Sequence, residues 1–215
     1  HVNVESVSYQ LYQLDPEQVP TLHLNTDDWQ EFVPDPARLQ REGELELTGE
    51  RNRYKLTPIN LGELAAGVYL LQVESPNGPS DKQLMVVSPY AITLKRSAEQ
   101  LFVWVVDLGN GKPVADLPLT AVAFSYDDQG RLQPMDEPRL LGRTAADGSL
   151  LADFSVSATY APIYVSSAAG EQFVLASSHW DRGISGWEFD FPMDLSGQVL
   201  RGSIVTDRPL YRPEQ

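Results

Sequence analysis

A two-residue alternation of apolar and polar side chains recurs along most of this sequence and constrains its fold more than any other feature. Leu45 and Leu47 alternate with glutamates, and the same spacing recurs at Tyr54 and Leu56. The 16 prolines and 15 glycines are scattered, so few stretches between them could hold a long helix. Alternation interrupted by turn residues about every ten positions is typical of antiparallel β-sandwiches. The sequence therefore predicts an all-β chain whose one helix is a short turn within residues 34–41.

The predicted strands fall into two series that meet at a seam at residues 88–90. The second series includes an apolar strand at 100–107, a Gly- and Pro-containing turn at 109–114, and a hairpin with Asp147-Gly148 at its apex. We therefore expect tandem antiparallel β-sandwiches of immunoglobulin-like or fibronectin-III-like type, one over residues 1–89 and one over residues 90–197. The longest apolar runs are far too short to span a bilayer.

The composition excludes several classes of function and indicates a compartment. The 30 acidic and 16 basic residues give a formal net charge of −14, and such a surface repels nucleic-acid phosphates. No cysteine is present, which excludes disulfides, thiolate nucleophiles and cysteine-bound metal or iron–sulfur sites within this chain. Eukaryotic secreted proteins of this type usually carry disulfides. Because the chain also lacks an Asn-x-Ser/Thr sequon, we expect a bacterial protein from outside the cytoplasm.

No pattern in the sequence predicts a catalytic, cofactor or metal site. The histidines (His1, His23 and His179) have no partner at metal-ligand spacing, and the paired acids at 27–28, 127–128 and 136–137 lack a calcium-loop pattern. Ser185 lies in Gly-Ile-Ser-Gly, which lacks the spacing and the strand–turn–helix context of a nucleophile elbow. We therefore expect a chain that is not an enzyme, with no catalytic residue, no cofactor and no metal.

An aromatic segment at residues 179–191 follows the last predicted strand of the second series. It contains Trp180, Trp187, Phe189 and Phe191, with glycines between the two tryptophans. Exposed aromatic side chains on a sandwich loop can stack on sugars or anchor a protein partner. Because the segment lies between a finished sandwich and the strand that follows it, packing against a neighbouring domain is the favoured interpretation. These four residues are therefore the candidates for an interdomain contact.

The last phrase of the chain carries a family resemblance. It resembles the "TDRPxYRPGQ" signature that opens a macroglobulin domain in the α2-macroglobulin family, with Glu214 in the place of the usual Gly. Weaker similarity extends to residues 66–70, 103–107 and 112–114. The signature residues are Thr206, Asp207, Arg208, Pro209, Tyr211, Arg212 and Pro213.

The resemblance implies that residues 1–89 and 90–197 are macroglobulin-like domains, and that 198–215 is the opening strand of a further, truncated domain. Family members are strings of macroglobulin domains that form a cage, inhibit endopeptidases after cleavage of a bait region, and can capture the attacker through a Cys–Gln thioester. Because this chain has no cysteine, the thioester would lie elsewhere in the parent or be missing from it. The resemblance implies that this chain is a non-catalytic scaffold fragment. The implied partners are neighbouring macroglobulin domains and, through the parent protein, target proteases. The implied location is the periplasm, the cell surface or the medium, with a lipid anchor as one means of attaching the parent to a membrane.

Two other classes remain open at this point. The immunoglobulin-like repeats of a bacterial surface adhesin would share the sandwiches and the Asp-Gly turns. A carbohydrate-binding accessory module of a secreted enzyme would use Trp180 and Trp187 as a sugar platform. Neither class requires the phrase at residues 206–213.

Overall fold

The computed structural model describes residues 2–22, 31–76, 78, 80–129, 132–156, 161–167 and 171–180. The described part of the chain is built of antiparallel strands, which confirms the predicted all-β fold class. Two 3₁₀ helices, Pro16–Leu22 and Pro36–Arg38, accompany the strands. The strands are β1 (Ser6–Leu14), β2 (Leu39–Glu46), β3 (Gly67–Glu74), β4 (Ser80–Val87), β5 (Tyr90–Arg96), β6 (Gln100–Asp107), β7 (Pro118–Tyr126), β8 (Leu132–Pro134), β9 (Arg139–Arg143), β10 (Ser149–Asp153), β11 (Ile163–Ser166) and β12 (Leu175–Ser177).

The helix predicted within residues 34–41 is a single short turn. Asp35 caps it, because its Oδ1 accepts a hydrogen bond of 2.9 Å from the backbone N–H of Ala37. Leu39 leaves the helical region and begins β2 instead of continuing the turn. The turn therefore leads into the edge strand of the first sheet.

The first sheet, sheet A, has four strands in the order β2-β1-β3-β4, all antiparallel. Tyr12 of β1 lies opposite Leu39 of β2 and Leu70 of β3, and Leu70 lies opposite Leu84 of β4. Residues directly opposite each other share a face of the sheet. These four side chains therefore form an apolar row across all four strands, on one face of sheet A.

The prediction that the alternation at Tyr54 and Leu56 marks a strand is wrong. The structure contains no strand between β2 and β3, and both side chains are largely exposed, at 71% and 77% of their accessible surface. β1 lies between β2 and β3, and residues 47–66 add no strand to either edge of sheet A. Local pattern alone does not supply the ladder of hydrogen bonds that a strand needs.

The second series of strands forms two facing sheets. Sheet B has the order β10-β6-β5, and sheet C has the order β12-β11-β7-β8, with β9 also paired to β7. Their inner faces meet in what we call the sandwich core. Its buried members are Leu101, Val103, Val105, Leu117, Leu119, Ala121, Ala123, Phe154, Ile163, Val165 and Val174.

Sheet C is covered on both faces. Ile163, Tyr164 and Val165 are consecutive in β11, so they point alternately to opposite faces, yet all three are buried. Ile163 and Val165 belong to the sandwich core, whereas Tyr164 packs in a second cluster with residues of sheet A. The strands therefore form three layers, in the order sheet B, sheet C and sheet A.

We call the cluster between sheets A and C the shared core. It draws on both sides of the seam that the sequence predicts at residues 88–90. Its buried members are Tyr12, Leu14, Val19, Leu22, Val68, Leu70, Phe124, Leu132, Tyr164, Phe173 and Leu175. The division into domains 1–89 and 90–197 stays a prediction. In the described part of residues 2–89 the strands form one sheet, and the apolar face of that sheet is covered by sheet C.

The turn at Asp147-Gly148 forms as expected, but the strands that it joins do not make a hairpin. β9 pairs with β7 in sheet C, and β10 pairs with β6 in sheet B. The turn therefore crosses from one sheet to the other. Gly148 has a φ of +76°, and its carbonyl accepts a hydrogen bond of 3.0 Å from the N–H of Val105. A local Asp-Gly signal indicates a tight turn and carries no information about which sheet receives the next strand.

Candidate interdomain interface

Trp180 is the one candidate contact residue that the described part of the chain includes. It is partly buried and packs against the shared core. Its ring meets the ring of Tyr164 edge to face, with centroids 5.8 Å apart and an interplanar angle of 89°. Tyr164 in turn meets Phe124 at 5.4 Å and 74°. Such edge-to-face pairs contribute about 0.5–1.5 kcal/mol each beyond the area that they bury.

The other predicted site residues lie outside the described residues. These are Trp187, Phe189 and Phe191 of the aromatic segment, and the signature residues Thr206, Asp207, Arg208, Pro209, Tyr211, Arg212 and Pro213. Their roles stay predictions, as does the role of Trp180 as a contact between domains. Trp180 itself lies three residues beyond β12, where its backbone N–H donates a hydrogen bond of 3.1 Å to the carbonyl of Ser177.

Tyr164 occupies the centre of the three aromatic rings. Burial raises the pKa of its hydroxyl, while a hydrogen bond with Ser177 acts in the opposite direction. Tyr164 and Ser177 are directly paired between β11 and β12. The hydroxyl is therefore neutral at physiological pH, and its hydrogen bond ties the last described strand to the middle of sheet C.

Backbone and side-chain hydrogen bonds fix the seam between the two strand series. The Oγ of Ser88 lies 2.7 Å from the carbonyl oxygen of Phe173, to which it donates, and it accepts a bond of 3.0 Å from the N–H of Tyr90. Arg96, at the far end of β5, donates from Nη1 to the carbonyl of Ala161 at 2.9 Å. Burial lowers the pKa of Arg96, but a guanidinium remains charged at any physiological pH. Both ends of β5 are thus anchored to segments next to sheet C.

A groove opens beside β5, between the edges of sheets B and C. Its volume is about 780 Å³, and its walls come from β5, from residues 174–180 and from the end of β4. Ile92, Leu94 and Val174 line it, and they also contact or belong to the sandwich core. The groove therefore gives access from outside to the apolar space between the two sheets.

The apolar face of sheet A becomes acidic toward its other end. A shallow depression of about 400 Å³ there is lined by Glu42, Glu44 and Glu74, together with Ser8 and Gln10. Burial raises the pKa of Tyr12, at the border of this area, and the charges of Glu42 and Glu74 act in the same direction. Within the described residues, no group of three or more potential ligands is arranged to hold a metal ion. The acidic area therefore carries no ligand assignment.

Of the residues considered from the sequence as candidate catalytic or metal-binding groups, the described part of the chain includes His179 and no other histidine. His179 is exposed, while His1, His23 and Ser185 lie outside the described residues. Within the described ranges, no helix combines the length and apolar character needed to cross a membrane.

Sequence reasoning missed the residues of sheet C that form the shared core. Phe124 follows Ala123 in β7, and both are buried, on opposite faces of the sheet. The same holds for the three consecutive buried residues of β11. An unbroken apolar run in a short strand signals burial on both faces. That signal was present at residues 163–165 and could have predicted a third layer.

The fold is similar to solved structures of α2-macroglobulin from Escherichia coli. A structure of the native protein spanning domains NIE-MG1 superposes with a TM-score of 0.58 at 18% identity, covering 82% of this chain and 85% of that chain. A structure spanning domains MG0-NIE-MG1 gives a TM-score of 0.57 at 19% identity, covering 82% of this chain and 56% of that one. The trypsin-activated protein gives 0.53 at 18% identity, covering 83% and 12% respectively.

These matches confirm, at the level of the fold, the resemblance to the α2-macroglobulin family that the sequence indicated. At this degree of identity they show the fold alone, and the chain spans a small part of the activated structure. No protein-family model matches the sequence, and no curated protein matches it either.

Proposed function

We propose that this chain is a structural scaffold segment of a bacterial α2-macroglobulin-like, broad-spectrum endopeptidase inhibitor. In this role it has no catalytic activity of its own. The parent protein would trap proteases after they cleave a bait region outside this segment. The chain would contribute residues 1–89 and 90–197 as macroglobulin-like domains, and residues 198–215 as the start of a further domain.

The observation that carries this proposal is the match to a two-domain segment of E. coli α2-macroglobulin over most of both chains. The phrase at residues 206–213 supports it independently, since it comes from a region that the described fold does not include. Neither a surface adhesin nor a carbohydrate-binding module accounts for both observations together.

The shared core suits a scaffold role physically. A segment that must pass on a rearrangement as a rigid body needs its parts to move together. Sheets A and C bury large apolar side chains against each other, including Leu70, Phe173 and Tyr164. Separating these sheets would expose that apolar surface to water, at a cost of about 25 cal/mol per Å². We infer that the two halves of this segment move as one body within the parent.

The same proposal assigns partners and a location. Neighbouring macroglobulin domains would contact this segment, with Trp180, Trp187, Phe189 and Phe191 among the contact residues. Target proteases would meet the parent rather than this segment. We place the parent in the periplasm or at the cell surface, where a lipid anchor could hold it, and the strong negative charge keeps it soluble there.

A protease assay tests the proposal. The 215-residue chain alone and the longer parent are each mixed with a general endopeptidase, and cleavage of a large protein substrate is compared with cleavage of a small peptide. We expect the parent to block cleavage of the large substrate only, and the chain alone to block neither. Protection of the large substrate by the chain alone would contradict the scaffold role.

A matched pair of variants in the parent tests whether the shared core contributes to protease trapping. Phe124 and Tyr126 lie in the same strand, but Phe124 is 4% exposed in the shared core and Tyr126 is 59% exposed. Phe124→Ala should reduce trapping because it loosens the contact between sheets A and C, whereas Tyr126→Ala should leave trapping unchanged. Equal trapping by both variants, with Phe124→Ala measurably destabilised, would show that the shared core does not serve the inhibitor.

A further inference from the structure

The wall of the groove formed by β5 carries a row of alternate side chains that ends in a positive charge. Tyr90, Ile92 and Leu94 pack against the sandwich core, and Arg96 is the next residue at the same spacing. All of these residues line the groove. The row covers six residue intervals, or about 20 Å. This wall is therefore an apolar track with a guanidinium at one end.

Hydrogen bonds fix the direction in which the opposite wall runs along β5. At the seam, the Oγ of Ser88 donates to the carbonyl of Phe173, just before this wall begins. At the far end of β5, the side chains of Arg96 and Ser178 both form hydrogen bonds with the backbone of residues 161–163, at 2.9 and 3.0 Å. The opposite wall therefore runs beside β5 from the seam toward Arg96.

The two ends of the groove differ in polarity. The end at Arg96 carries two hydroxyls and an imidazole, from Ser177, Ser178 and His179. The seam end presents three apolar side chains, Val86, Leu108 and Val174. A hydrogen bond of 2.8 Å from the N–H of Leu108 to the carbonyl of Pro89 holds Leu108 at this end, where its side chain is 63% exposed. A ligand that matches the groove has a polar head and an apolar tail.

Size and charge narrow the class of ligand. Carbon–carbon bonds of about 1.5 Å advance an extended alkyl chain by about 1.25 Å each, so about 16 carbons span the row along β5. The volume of about 780 Å³ is typical of sites for small molecules. The net charge of −14 repels ligands that carry many negative charges, whereas a single carboxylate can pair with Arg96. These features favour one alkyl chain with one anionic head over an acidic peptide.

We propose that the groove binds a long-chain fatty acid, with its carboxylate at Arg96 and its alkyl chain running past Leu94 and Ile92 toward the seam. The positive charge of Arg96 attracts the carboxylate whatever hydrogen bonds the guanidinium makes. The alkyl chain removes apolar surface of the two walls from water. This inference concerns a ligand of the chain itself and does not depend on protease trapping by the parent.

Calorimetric titration of the full 215-residue chain with dodecanoate, below its micelle concentration, tests the proposal. Dodecyltrimethylammonium is the matched control ligand, because it has the same tail and a positive head. We expect dodecanoate to bind at one site, with a Kd at least tenfold lower than that of the cation. Non-specific attraction to a chain of charge −14 would give the opposite order. That order, or no saturable binding of dodecanoate, would overturn the proposal.

A matched pair of variants locates the carboxylate. Arg96→Gln and Lys95→Gln change the net charge equally, but Lys95 is exposed on the opposite face of β5. Arg96→Gln should raise the Kd for dodecanoate at least tenfold, and Lys95→Gln less than twofold. Arg96→Lys, which keeps the charge, should restore most of the affinity. Equal losses in the two glutamine variants would overturn the proposal, and if Arg96→Gln does not fold, the comparison of the two head groups decides.

Two fatty acids of different length test the direction of the alkyl chain. Decanoate reaches only about 11 Å from its carboxylate, whereas hexadecanoate reaches the seam. Leu108→Asp, which places a charge at the seam end, should raise the Kd for hexadecanoate at least fivefold and leave that for decanoate unchanged. Leu140→Asp, at an exposed position of sheet C that is not part of the groove lining, is the control substitution. Unchanged affinity of the Leu108→Asp variant for both acids would contradict a chain that runs to the seam, and with it the proposal.

Discussion

Leu70→Ala tests whether sheets A and C share one core or merely touch. Leu70 is fully buried in β3, with Tyr12 and Leu84 opposite it on the two neighbouring strands. The substitution removes three carbon atoms from the shared core. At about 0.8 kcal/mol per buried methylene, the lost transfer energy is about 2.4 kcal/mol, and the remaining cavity raises the cost to about 3–4 kcal/mol.

The expected result concerns where the stability is lost as well as how much. Because Leu70 belongs to the same cluster as Tyr164 and Phe124, amides in β11 and β7 of sheet C should lose protection together with those of β3. About 3 kcal/mol corresponds to a roughly 100-fold faster exchange wherever exchange requires the shared core to open. The urea midpoint should fall by about 1–2 M for a typical urea dependence.

Native-state hydrogen exchange measured by mass spectrometry provides the assay, since it reports on each strand separately. Leu56→Ala is the control, because that side chain is 77% exposed and its removal should cost less than about 0.5 kcal/mol. If Leu70→Ala weakens protection in β3 while β7 and β11 keep theirs, the two sheets are energetically independent. The argument for a shared core would then be wrong.

Three further predictions concern the sandwich itself. Thr144 is buried, and its hydroxyl accepts a hydrogen bond of 2.9 Å from the N–H of Leu117 and donates one to the carbonyl of Val114. Thr144→Val should therefore lower the free energy of unfolding, measured in urea, by about 1–3 kcal/mol, and Thr144→Ser should lower it less. Gly148→Ala should lower the free energy of unfolding by about 2–3 kcal/mol, because the added Cβ would lie 2.5 Å from the backbone oxygen of Val105. Gly111 has a similar positive φ but open space around it, so Gly111→Ala should lower the free energy of unfolding by about 1 kcal/mol only. Burial raises the pKa of Tyr164 above the ordinary tyrosine value of 10.0, so its contribution to stability is complete below pH 10 and is lost as the pH rises through the folded pKa. Tyr164→Phe should flatten this decline in stability at alkaline pH, and an unchanged decline would contradict the direction of the pKa shift.

The sequence was a good guide to the individual strands. The run at 100–107 became β6, since an apolar stretch bounded by turn residues determines a strand locally. Tyr54 and Leu56 show the limit of that rule: the alternation is present, but residues 47–66 form no strand. Pairing is a long-range property, and the local pattern does not contain it.

The arrangement of the sheets was harder to predict than the strands. The Asp147-Gly148 signal indicated a hairpin, yet the turn passes between two sheets because β9 and β10 find their partners in β7 and β6. The covering of sheet A by sheet C depends on a cluster of side chains whose members, such as Tyr12 and Tyr164, are far apart in the sequence. Of the candidate site, Trp180 alone lies in the described part of the chain, so its packing against the shared core is the one element that can be compared with the sequence-based interpretation.

Calorimetric unfolding of the full chain tests most directly the claim that its two strand series form one body. A shared core predicts a single transition for the three sheets, in which the calorimetric and van't Hoff enthalpies agree. For the roughly 180 residues up to Trp180, the unfolding enthalpy near 60 °C should be about 120–130 kcal/mol. Two resolved transitions, each with about half of that enthalpy, would show that sheet A unfolds independently of the sandwich and would contradict the account.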